Sequence, residues 1–562
     1  MKTFFRILIL LLLLGAAAIA GYFFLDPGGE TRDLFAFVPP DYSYLVESDR
    51  PVGDWQNLSE TEVWQYLKGT DYFADITESA DYLDSLLKAN QTLVDFIKLG
   101  DMLISAHMIS RQEYDFLILV DLKGKGRKLS KLKPVTVELF KSLGYQVKTD
   151  SYYNIDLYHL YDTEYDETLT MSTIDNVLMI SYTADLVKKA INQSENESVL
   201  QGVDFGRVRE RINRDELYTV YLNYQELDRL MGAYTAETPE MVADLKEILA
   251  VSAFDLSVKD DHAKLSGYTK QIDSVPSFLR VFQDVGRGKV NAPIVLPTNT
   301  AMFTSLGFDD FTDFYQKFDA YYAEESPEDH KDLQKNINRI EKALKIDFDR
   351  DFFSWMTDEI VTAVVPTNPQ ATRYSYYAML HFDDYDLTKE RLDYVTKRIG
   401  KTPVKFEELD YKGYPIKYLK LRGFFSLFFK KLFSKIEQPH FTYIDDYVVF
   451  SNDTTALQVM IDAYLEGNVL LQADRFQKFQ KQFKSKSNIY TYFQNESLYH
   501  YLSSTLDHEA RNDLGQNKSY LFSFPQMGLQ LYPGSGMYES YIYAEFEKFE
   551  EQDETLLRTD TR

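Results

Sequence analysis

Residues 169–191 read LTMSTIDNVLMISYTADLVKKAI, and residues 440–461 read HFTYIDDYVVFSNDTTALQVMI. The two stretches align without a gap, because Ile174 falls on Ile444 and Ser181 falls on Ser451 at the same offset in numbering. A register shared over this length indicates an internal repeat. Because a repeat constrains the fold of the whole chain, it is interpreted before any single motif.

The repeat extends in both directions from this stretch. Two copies of about 250 residues each match the size of large single domains. The offset in numbering is larger at Ile174 than at Leu160, so the second copy contains an insertion between these aligned points. The other aligned segments are residues 38–39 with 296–297, 103–106 with 360–363, 116–122 with 376–382, Tyr152 with Tyr411, Phe205 with Phe476, and 218–219 with 490–491.

The repeat and the composition together predict five segments. Prolines and glycines mark a boundary between the copies, and the last residues are charged and nearly free of aromatic side chains. The segments are residues 1–30, a membrane anchor or signal peptide; 31–275, the first copy; 276–292, a linker; 293–546, the second copy, with a Phe-rich insertion near 422–435; and 547–562, a disordered tail.

Each copy mixes strand and helix patterns. Residues 116–122 and 177–182 alternate in the manner of strands, and Asp175-Asn176 suits a two-residue hairpin turn. Residues 184–191 then change to a helical period. Hairpins interspersed with helices, without regular βαβ alternation, predict an α+β fold: an N-terminal transmembrane helix followed by a tandem duplication of a mixed, largely antiparallel sheet-plus-helix unit.

The N-terminal residues predict a location. Lys2 and Arg6 precede an apolar run over residues 7–25, which as a helix would span about 28 Å, close to the thickness of the bilayer core. Positive charge before the run predicts a chain anchored in the cytoplasmic membrane of a bacterial cell envelope, with its body facing the periplasm. A cleaved signal peptide is the alternative, because residues 18–20 read Ala-Ile-Ala, a cleavage-site pattern.

Composition limits the partners. The formal charge is −26, and nucleic acids bind basic surfaces, so no nucleic-acid partner is expected. The chain has no cysteine, which excludes thiol catalysis and cysteine-ligated metals and favours a bacterial source. We found no P-loop, GxGxxG or nucleophile-elbow motif, and we expect no cofactor and no catalytic residues.

The insertion in the second copy is positively charged, whereas the chain as a whole is strongly negative. Residues 422–435 read RGFFSLFFKKLFSK, with four cations and no acid. Such a helix can lie in a membrane interface, or it can cover an open core. The residues predicted to contact a membrane or partner under the first interpretation are Phe424, Phe425, Phe428, Phe429, Lys430, Lys431, Leu432 and Lys435.

One acidic stretch resembles a metal loop. Asp347, Asp349 and Asp351 are spaced like the first three ligands of a calcium loop. Phe352 stands where that loop needs glycine, and Asp358 stands where it needs glutamate. The pattern therefore favours a helix-to-strand junction over a calcium site.

Residues 343–365, ALKIDFDRDFFSWMTDEIVTAVV, follow a Leu-Pro-x-x-Thr-Ala opening at residues 296–301. Together these segments resemble an uncharacterised bacterial family of membrane-anchored, extracytoplasmic proteins known only as a domain of unknown function. The resemblance implies a location and an architecture. It implies no activity and no catalytic residues.

These observations favour a membrane-anchored envelope protein of a non-enzymatic binding or structural type. Its partners would be the membrane, through the N-terminal helix, and an envelope protein or an apolar ligand. One alternative is a carrier of an apolar or lipid-like ligand in a cleft between the two copies. A further alternative is a hydrolase that uses paired carboxylates, which would have to face each other across a cleft.

Overall fold

The chain divides into two compact units, residues 1–272 and residues 273–562. A computed structural model describes residues 31–69, 100–111, 113–122, 141, 145–163, 166–199, 202–232, 245–368, 371–399, 408–419, 422–429, 433–506, 508–534 and 536–549. The division falls next to the boundary at residue 275 that the sequence predicts, and each unit contains an antiparallel sheet with helices.

The first unit has ten strands in its described residues. All neighbouring strands are antiparallel, and the spatial order is β10-β9-β8-β1-β2-β3-β7-β6-β5-β4. The strands are β1 (Tyr42–Ser48), β2 (Met102–Met108), β3 (Tyr114–Asp121), β4 (Gln146–Tyr152), β5 (Ile155–Asp162), β6 (Glu167–Ile174), β7 (Val177–Ser181), β8 (Tyr218–Asn223), β9 (Leu249–Lys259) and β10 (His262–Gln271).

Short helices connect these strands. The α-helices span Pro51–Ser59, Glu62–Leu67, Ala184–Gln193, Val203–Arg211 and Leu227–Met231, and 3₁₀ helices span Leu34–Phe37 and Tyr224–Glu226. The helix after β7 buries Leu186, Val187, Ala190 and Ile191, which share one helical face.

The described residues of the second unit form a sheet of the same kind. Its antiparallel order is β22-β21-β20-β12-β13-β14-β18-β17-β16-β15, and β11 pairs with β19 beside it. The strands are β11 (Gly288–Lys289), β12 (Met302–Gly307), β13 (Glu359–Pro366), β14 (Tyr374–His381), β15 (Glu408–Tyr411), β16 (Tyr414–Tyr418), β17 (His440–Ile444), β18 (Tyr447–Ser451), β19 (Lys486–Ser487), β20 (Ile489–Gln494), β21 (Gln526–Gly534) and β22 (Met537–Glu545).

Helices cover both faces of this second sheet. The α-helices span Phe311–Glu325, Pro327–Leu344, Tyr385–Ile399, Ser426–Phe429, Thr454–Glu466, Asp474–Gln480, Asn495–Thr505, His508–Gln516 and Lys518–Ser523. The 3₁₀ helices span Phe278–Phe282, Ala292–Ile294 and Leu470–Gln472, and a π-helix spans Asp349–Phe353. Successive side chains of a strand lie on opposite faces of the sheet and belong to two separate hydrophobic cores. Ala378 and Leu380 are in one core, and Tyr377 and Met379 are in the other.

The two sheets have the same strand order, each strand of the first unit having its counterpart in the second. The repeated stretch that opened the sequence forms the same hairpin in each, β6–β7 and β17–β18. Asp175 and Asp445 open the turns of these hairpins, both with φ of 51°. A short Asx side chain tolerates this left-handed conformation, which explains why both copies have aspartate there.

The pairing registers correct two of the aligned segments by one residue. Leu45 faces Tyr221 in the first unit, and its counterpart Phe303 faces Tyr492 in the second, an offset of 271 rather than the 272 that aligned Tyr218 with Tyr490. Likewise Leu45 faces Ser105 and Phe303 faces Ala363, an offset of 258 rather than 257. The correction matters because a slip of one residue moves a strand side chain to the opposite face.

The fold prediction is wrong in its transmembrane part. Both units are mixed α+β with antiparallel sheets, but none of the helices in the described residues is long and apolar enough to cross a membrane. The predicted helix over residues 1–30 lies outside the described residues, so the transmembrane element is removed from the fold assignment.

The segment predicted as a linker, residues 276–292, is part of the second unit. It contains the 3₁₀ helix Phe278–Phe282, whose Val281 and Phe282 are buried in the core, and the strand β11. The first residues of the predicted tail are described as well, and Glu547 binds Arg475. Residues 550–562 lie outside the described residues.

Candidate functional site

Two sequence features that are distant from each other in the chain meet in the second unit. The acidic stretch forms the π-helix Asp349–Phe353, and the insertion contributes the short helix Ser426–Phe429. Ring centroids are 4.6 Å apart for Phe348 and Phe428 and 5.0 Å apart for Phe353 and Phe428. These contacts place the predicted calcium and membrane residues in one region.

The phenylalanines of the insertion are core side chains. Phe424, Phe425, Phe428 and Phe429 are each at most 2% exposed and pack in the larger core of the second unit. The membrane interpretation required these rings to face outward, so the described structure fits the alternative, a segment that covers the core. Lys435 is exposed, and Lys430, Lys431 and Leu432 lie outside the described residues.

The acidic stretch is an ion-paired junction. Asp351 is buried, and its carboxylate accepts from Nε and Nη2 of Arg350 at 2.7 Å and lies 3.6 Å from Arg391. The hydrogen bonds from Arg350 lower the pKa of Asp351 despite its burial. Asp347 accepts from the backbone N–H of Arg350. Among the described residues, no three acidic or histidine side chains are grouped closely enough to hold a metal ion.

A cavity opens beside this junction, and we call it the aromatic cleft. It lies between the helices Phe311–Glu325 and Pro327–Leu344, the π-helix and the insertion, and its volume is about 450 Å³. Five aromatic side chains line it, namely Phe311, Tyr315, Phe348, Phe353 and Phe428, together with Thr312, Gln316, Asp319, Gln334, Ile337, Asn338, Glu341 and Asp349.

The local sequence explains how the cleft forms. Phe311, Phe314, Phe318 and Tyr322 recur every three or four residues, so one face of their helix is buried. Asp310 caps this helix by accepting from the backbone N–H of Asp313. Pro327 begins the next helix, and Lys345, which caps its C-terminus, has a left-handed conformation. The two helices are therefore adjacent in the chain, with the acidic stretch directly after them.

The cleft is negatively charged. Asp319 Oδ1 is 2.9 Å from Nε2 of His330 and accepts from Gln334 at 3.0 Å, and Glu341 accepts from the backbone N–H of Phe348. Asp349 forms no hydrogen bond or ion pair within the described residues. Burial raises the pKa of Asp349, and the negative charges of Asp347 and Asp319 raise it further.

The acidic side chains of the cleft also affect the pKa of one of its aromatic residues, Tyr315. Burial raises the pKa of the Tyr315 hydroxyl, and the neighbouring Asp319 and Asp349 raise it further. Among the described residues that line the cleft there is no lysine or arginine. The cleft therefore presents aromatic rings next to an uncompensated carboxylate.

Comparison with known families bears on this region. Residues 127–389 match the DUF3352 family model, described as a protein of unknown function. The match confirms the resemblance to a family of unknown function; the bacterial, membrane-anchored character that the resemblance implied stays a prediction. Among curated proteins and among solved structures, none matches the chain.

The DUF3352 segment contains most of the aromatic cleft. Both long helices and the π-helix lie within it, whereas Phe428 of the insertion lies beyond its end. Sequence reasoning singled out Asp349 and Phe428 separately but missed Tyr315 and Asp319. The buried face of the helix Phe311–Glu325 was the available signal, since Tyr315 and Asp319 flank it.

A second arrangement, outside the DUF3352 segment, resembles a nucleophile relay. His107 Nδ1 is 3.1 Å from Asp41 Oδ1, and His107 Nε2 is 2.9 Å from Ser105 Oγ. These are the contacts that a catalytic serine makes with its base and the orienting acid. However, Ser105 and His107 are fully buried on β2, and neither lines the aromatic cleft or the polar cavity of the first unit. The relay connects Asp41, the residue before β1, to β2.

The first unit also has a polar cavity of about 290 Å³, which is lined partly by residues of the DUF3352 segment and partly by residues before it. Asp54 lies at its wall, 2% exposed, and accepts from Ser48 Oγ at 2.6 Å. Burial raises the pKa of Asp54, although Ser48 and Arg50 oppose that shift. Asp49, Asp215 and Glu216 line the same cavity. Arg50 and Arg214 line it too, so these carboxylates are accompanied by cations.

Proposed function

We propose that this chain is a binding protein whose second unit holds an organic cation with an apolar body in the aromatic cleft. The observation that supports the proposal most directly is the pairing of five aromatic side chains with the unpaired carboxylate of Asp349 in one cavity. A cavity of about 450 Å³ is in the size range of small-molecule sites.

Aromatic rings favour such a ligand for two reasons. They bury apolar surface, and their faces attract a cation through the ring quadrupole, by about 0.5–2 kcal/mol per contact. Tyr315 and Phe353 lie with ring centroids 4.4 Å apart and form one wall of the cleft. A quaternary ammonium group or an alkylated amine combines the apolar surface and the charge that this wall binds.

The carboxylates select for positive charge. Because burial and like charges raise the pKa of Asp349, its ionised form is destabilised in the free protein. A bound cation would relieve this repulsion, so the free energy of the ionised carboxylate becomes part of the binding free energy. An anionic ligand of the same shape would increase the repulsion.

Calorimetry with benzyltrimethylammonium tests the proposal. We expect the full chain to bind it more tightly than uncharged benzyl alcohol. Asp349→Asn should weaken the binding of the cation about five- to tenfold, or about 1–1.4 kcal/mol, and should leave the affinity for benzyl alcohol unchanged.

Asp332→Asn is the matched control, because Asp332 is an exposed acid on the helix Pro327–Leu344, paired with Lys335 and outside the cleft. The proposal fails if the cation and benzyl alcohol bind equally, or if Asp332→Asn and Asp349→Asn lower the affinity for the cation by the same factor.

A location outside the cytoplasm, in a bacterial envelope, is part of the proposal. It is supported by the positive charge of Lys2 and Arg6 before an apolar run and by the Ala-Ile-Ala pattern at residues 18–20, which is typical of a cleaved signal peptide. Fusion of alkaline phosphatase after residue 549 tests it in bacterial cells. Activity of the fused phosphatase is expected, and an inactive but intact fusion would contradict export.

A further inference from the structure

The corrected register makes one position in the two units comparable. In the first unit, Glu47 on β1 is buried and its carboxylate is compensated on all sides: Arg209 donates at 3.0 Å, Arg214 lies at 3.5 Å, and the hydroxyl of Tyr221 donates at 2.6 Å. The guanidinium of Arg209 also stacks over the ring of Phe35 at 4.3 Å. Two arginine side chains thus lie over this end of the sheet, where Arg214 also lines the polar cavity of the first unit.

The second unit lacks both arginines at the equivalent positions. With the offset of 271 that the pairing establishes, Arg209 corresponds to Gln480 and Arg214 corresponds to Ser485. Glu47 corresponds to Ser305 at the offset of 258. The long cationic side chains that cover the first sheet here are replaced by shorter, uncharged ones.

A cavity of about 460 Å³ lies where the arginines are missing. Gln480 and Ser485 both line it, so the substitution and the cavity coincide. The other lining residues are Lys289, Val290, Asn291, Gln477, Lys481, Phe483, Lys484 and Tyr490. Tyr490 belongs to the core on the opposite face of the sheet from the aromatic cleft, so the two cavities are separate.

A buried carboxyl group lies behind this cavity and is satisfied without a cation. Glu359 accepts from the hydroxyls of Ser305 and Tyr447 and from the backbone N–H of Asn291. Burial raises the pKa of Glu359, which favours its neutral form. The carboxyl group of Glu359 therefore does not require a positively charged ligand in this cavity.

One polar atom at the cavity lacks a partner. Tyr490 is 1% exposed, and its hydroxyl forms no hydrogen bond within the described structure. A buried hydroxyl without a partner costs about 1–3 kcal/mol, so most native structures satisfy it with protein or with a bound molecule. A ligand in this cavity would accept the unused proton of Tyr490.

The mouth of the cavity is cationic. Lys289, Lys481 and Lys484 line it, and no acidic residue does. Lys484 is paired with Glu539 at 3.2 Å, whereas Lys289 and Lys481 form no ion pair among the described residues. The surrounding stretch, residues 475–486, reads RFQKFQKQFKSK, which has five cations and no acid in a chain of charge −26.

From these observations we infer that the cavity binds a small organic anion, a phosphate or carboxylate group attached to an apolar body. The ammonium groups of Lys289 and Lys481 bind the anionic group at the mouth. The ring of Phe483 and the side chain of Val290 pack against the apolar body. Tyr490 donates its hydroxyl proton to an acceptor atom of the ligand.

The test uses phenyl phosphate as the probe and the full chain as the protein, with calorimetry as the readout. We expect phenyl phosphate to bind more tightly than inorganic phosphate and than benzyl alcohol, because both the charge and the ring contribute. The double variant Lys289→Gln, Lys481→Gln should weaken binding at least tenfold. Lys478→Gln is the matched control, because Lys478 is an exposed cation of the same stretch that does not line the cavity.

Tyr490→Phe separates a binding role from a structural one. It removes a buried hydroxyl that has no partner, so the melting temperature of the free protein should stay the same or rise, while the affinity for phenyl phosphate falls threefold or more. A hydroxyl with only a structural role would leave the affinity unchanged.

Three results would overturn the inference. The first is that phenyl phosphate shows no binding. The second is equal affinity for phenyl phosphate and benzyl alcohol. The third is that the double variant and Lys478→Gln weaken binding by the same factor.

Discussion

At the scale of single residues, buried charges in this protein are paired in ways that the sequence does not reveal. Asp351 and Arg350 are neighbours in the chain, but Arg391, the second cation near Asp351, comes from the later helix Tyr385–Ile399. Asp358 and His381 form another such pair, with Oδ1 and Nδ1 2.8 Å apart across β13 and β14. Both pairs lie in the DUF3352 segment or directly after it.

The Asp358–His381 pair predicts a pH dependence of stability. Burial alone would lower the pKa of His381, but Asp358 outweighs it, so this pKa lies above the ordinary value of 6.5. A raised pKa means that the stabilisation is complete below pH 6.5 and is lost as the pH rises through the folded-state pKa of His381. His381 also lowers the pKa of Asp358 despite burial, so the pair weakens again in acid as Asp358 protonates.

Urea unfolding of His381→Gln between pH 5 and pH 8 measures this effect. We expect the variant to be less stable at pH 5 by about 1.5–3 kcal/mol, the usual size for a charged hydrogen bond, and the difference to shrink towards pH 8. His500→Gln, at an exposed position, is the control. A difference that does not change with pH would contradict the assignment.

The carboxylate of Asp349 predicts a pH dependence of binding. Its pKa is raised, so it takes up a proton at a higher pH than an ordinary aspartate does. The affinity for benzyltrimethylammonium should therefore decrease as the pH falls through the range in which Asp349 takes up a proton, and Asp349→Asn should remove that decrease. Calorimetric titrations at several pH values provide the measurement, and an equal decrease in affinity for the unmodified chain and for Asp349→Asn would exclude Asp349 as the charged contact.

At the scale of elements, the insertion in the second unit packs its phenylalanine rings into the larger core of that unit. We call this segment the plug. Phe425 contacts Phe433 at 5.1 Å and Phe450 at 4.9 Å, so the insertion is packed directly on β18. The sequence showed that the segment is apolar and cationic, and this pattern fits a membrane interface and a core cover equally well. Only the position of the partner rings distinguishes the two.

Phe425→Ala tests the packing of the plug. The ring is fully buried, so its removal should lower the free energy of unfolding by about 3–5 kcal/mol, through lost burial and an internal cavity. Lys435→Ala, at an exposed position of the same segment, should change it by at most about 0.5 kcal/mol. Chemical denaturation of both variants gives the comparison, and equal effects would show that the plug is not packed in solution as described.

At the scale of the whole molecule, the chain carries a large excess of negative charge. It has 87 acidic and 61 basic side chains, so the folded state repels itself over long distances. The cationic stretch at residues 475–486 stands out against this background.

This excess charge predicts that salt stabilises the fold. Raising the sodium chloride concentration from about 10 mM to about 0.5 M shortens the screening length several-fold, which weakens the long-range repulsion more than it weakens contact ion pairs. The melting temperature should rise by a few degrees, as measured by calorimetry. Glucose, which is uncharged, serves as the control, and a melting temperature that falls with salt would contradict the prediction.

The sequence by itself determined the repeat and the type of fold. Aligned hydrophobic patterns and shared turn residues such as Asp175 and Asp445 predict the same hairpins, because local backbone preferences and strand alternation are encoded in neighbouring residues. The same reasoning failed by one residue in β2 and β8, where low identity leaves the register open and only hydrogen-bonded pairing settles it.

The tertiary structure alone decided the candidate sites. The aromatic cleft combines side chains from residues 311 to 428, and the cavity lined by Lys289, Lys481 and Lys484 combines residues 289 to 490. Gln480 and Ser485 occupy the positions of Arg209 and Arg214 in the second copy. This replacement can be recognised only when the strands of the two copies are compared in the correct register. Binding sites depend on distances between side chains that are remote in sequence, and those distances are set by packing rather than by any local pattern.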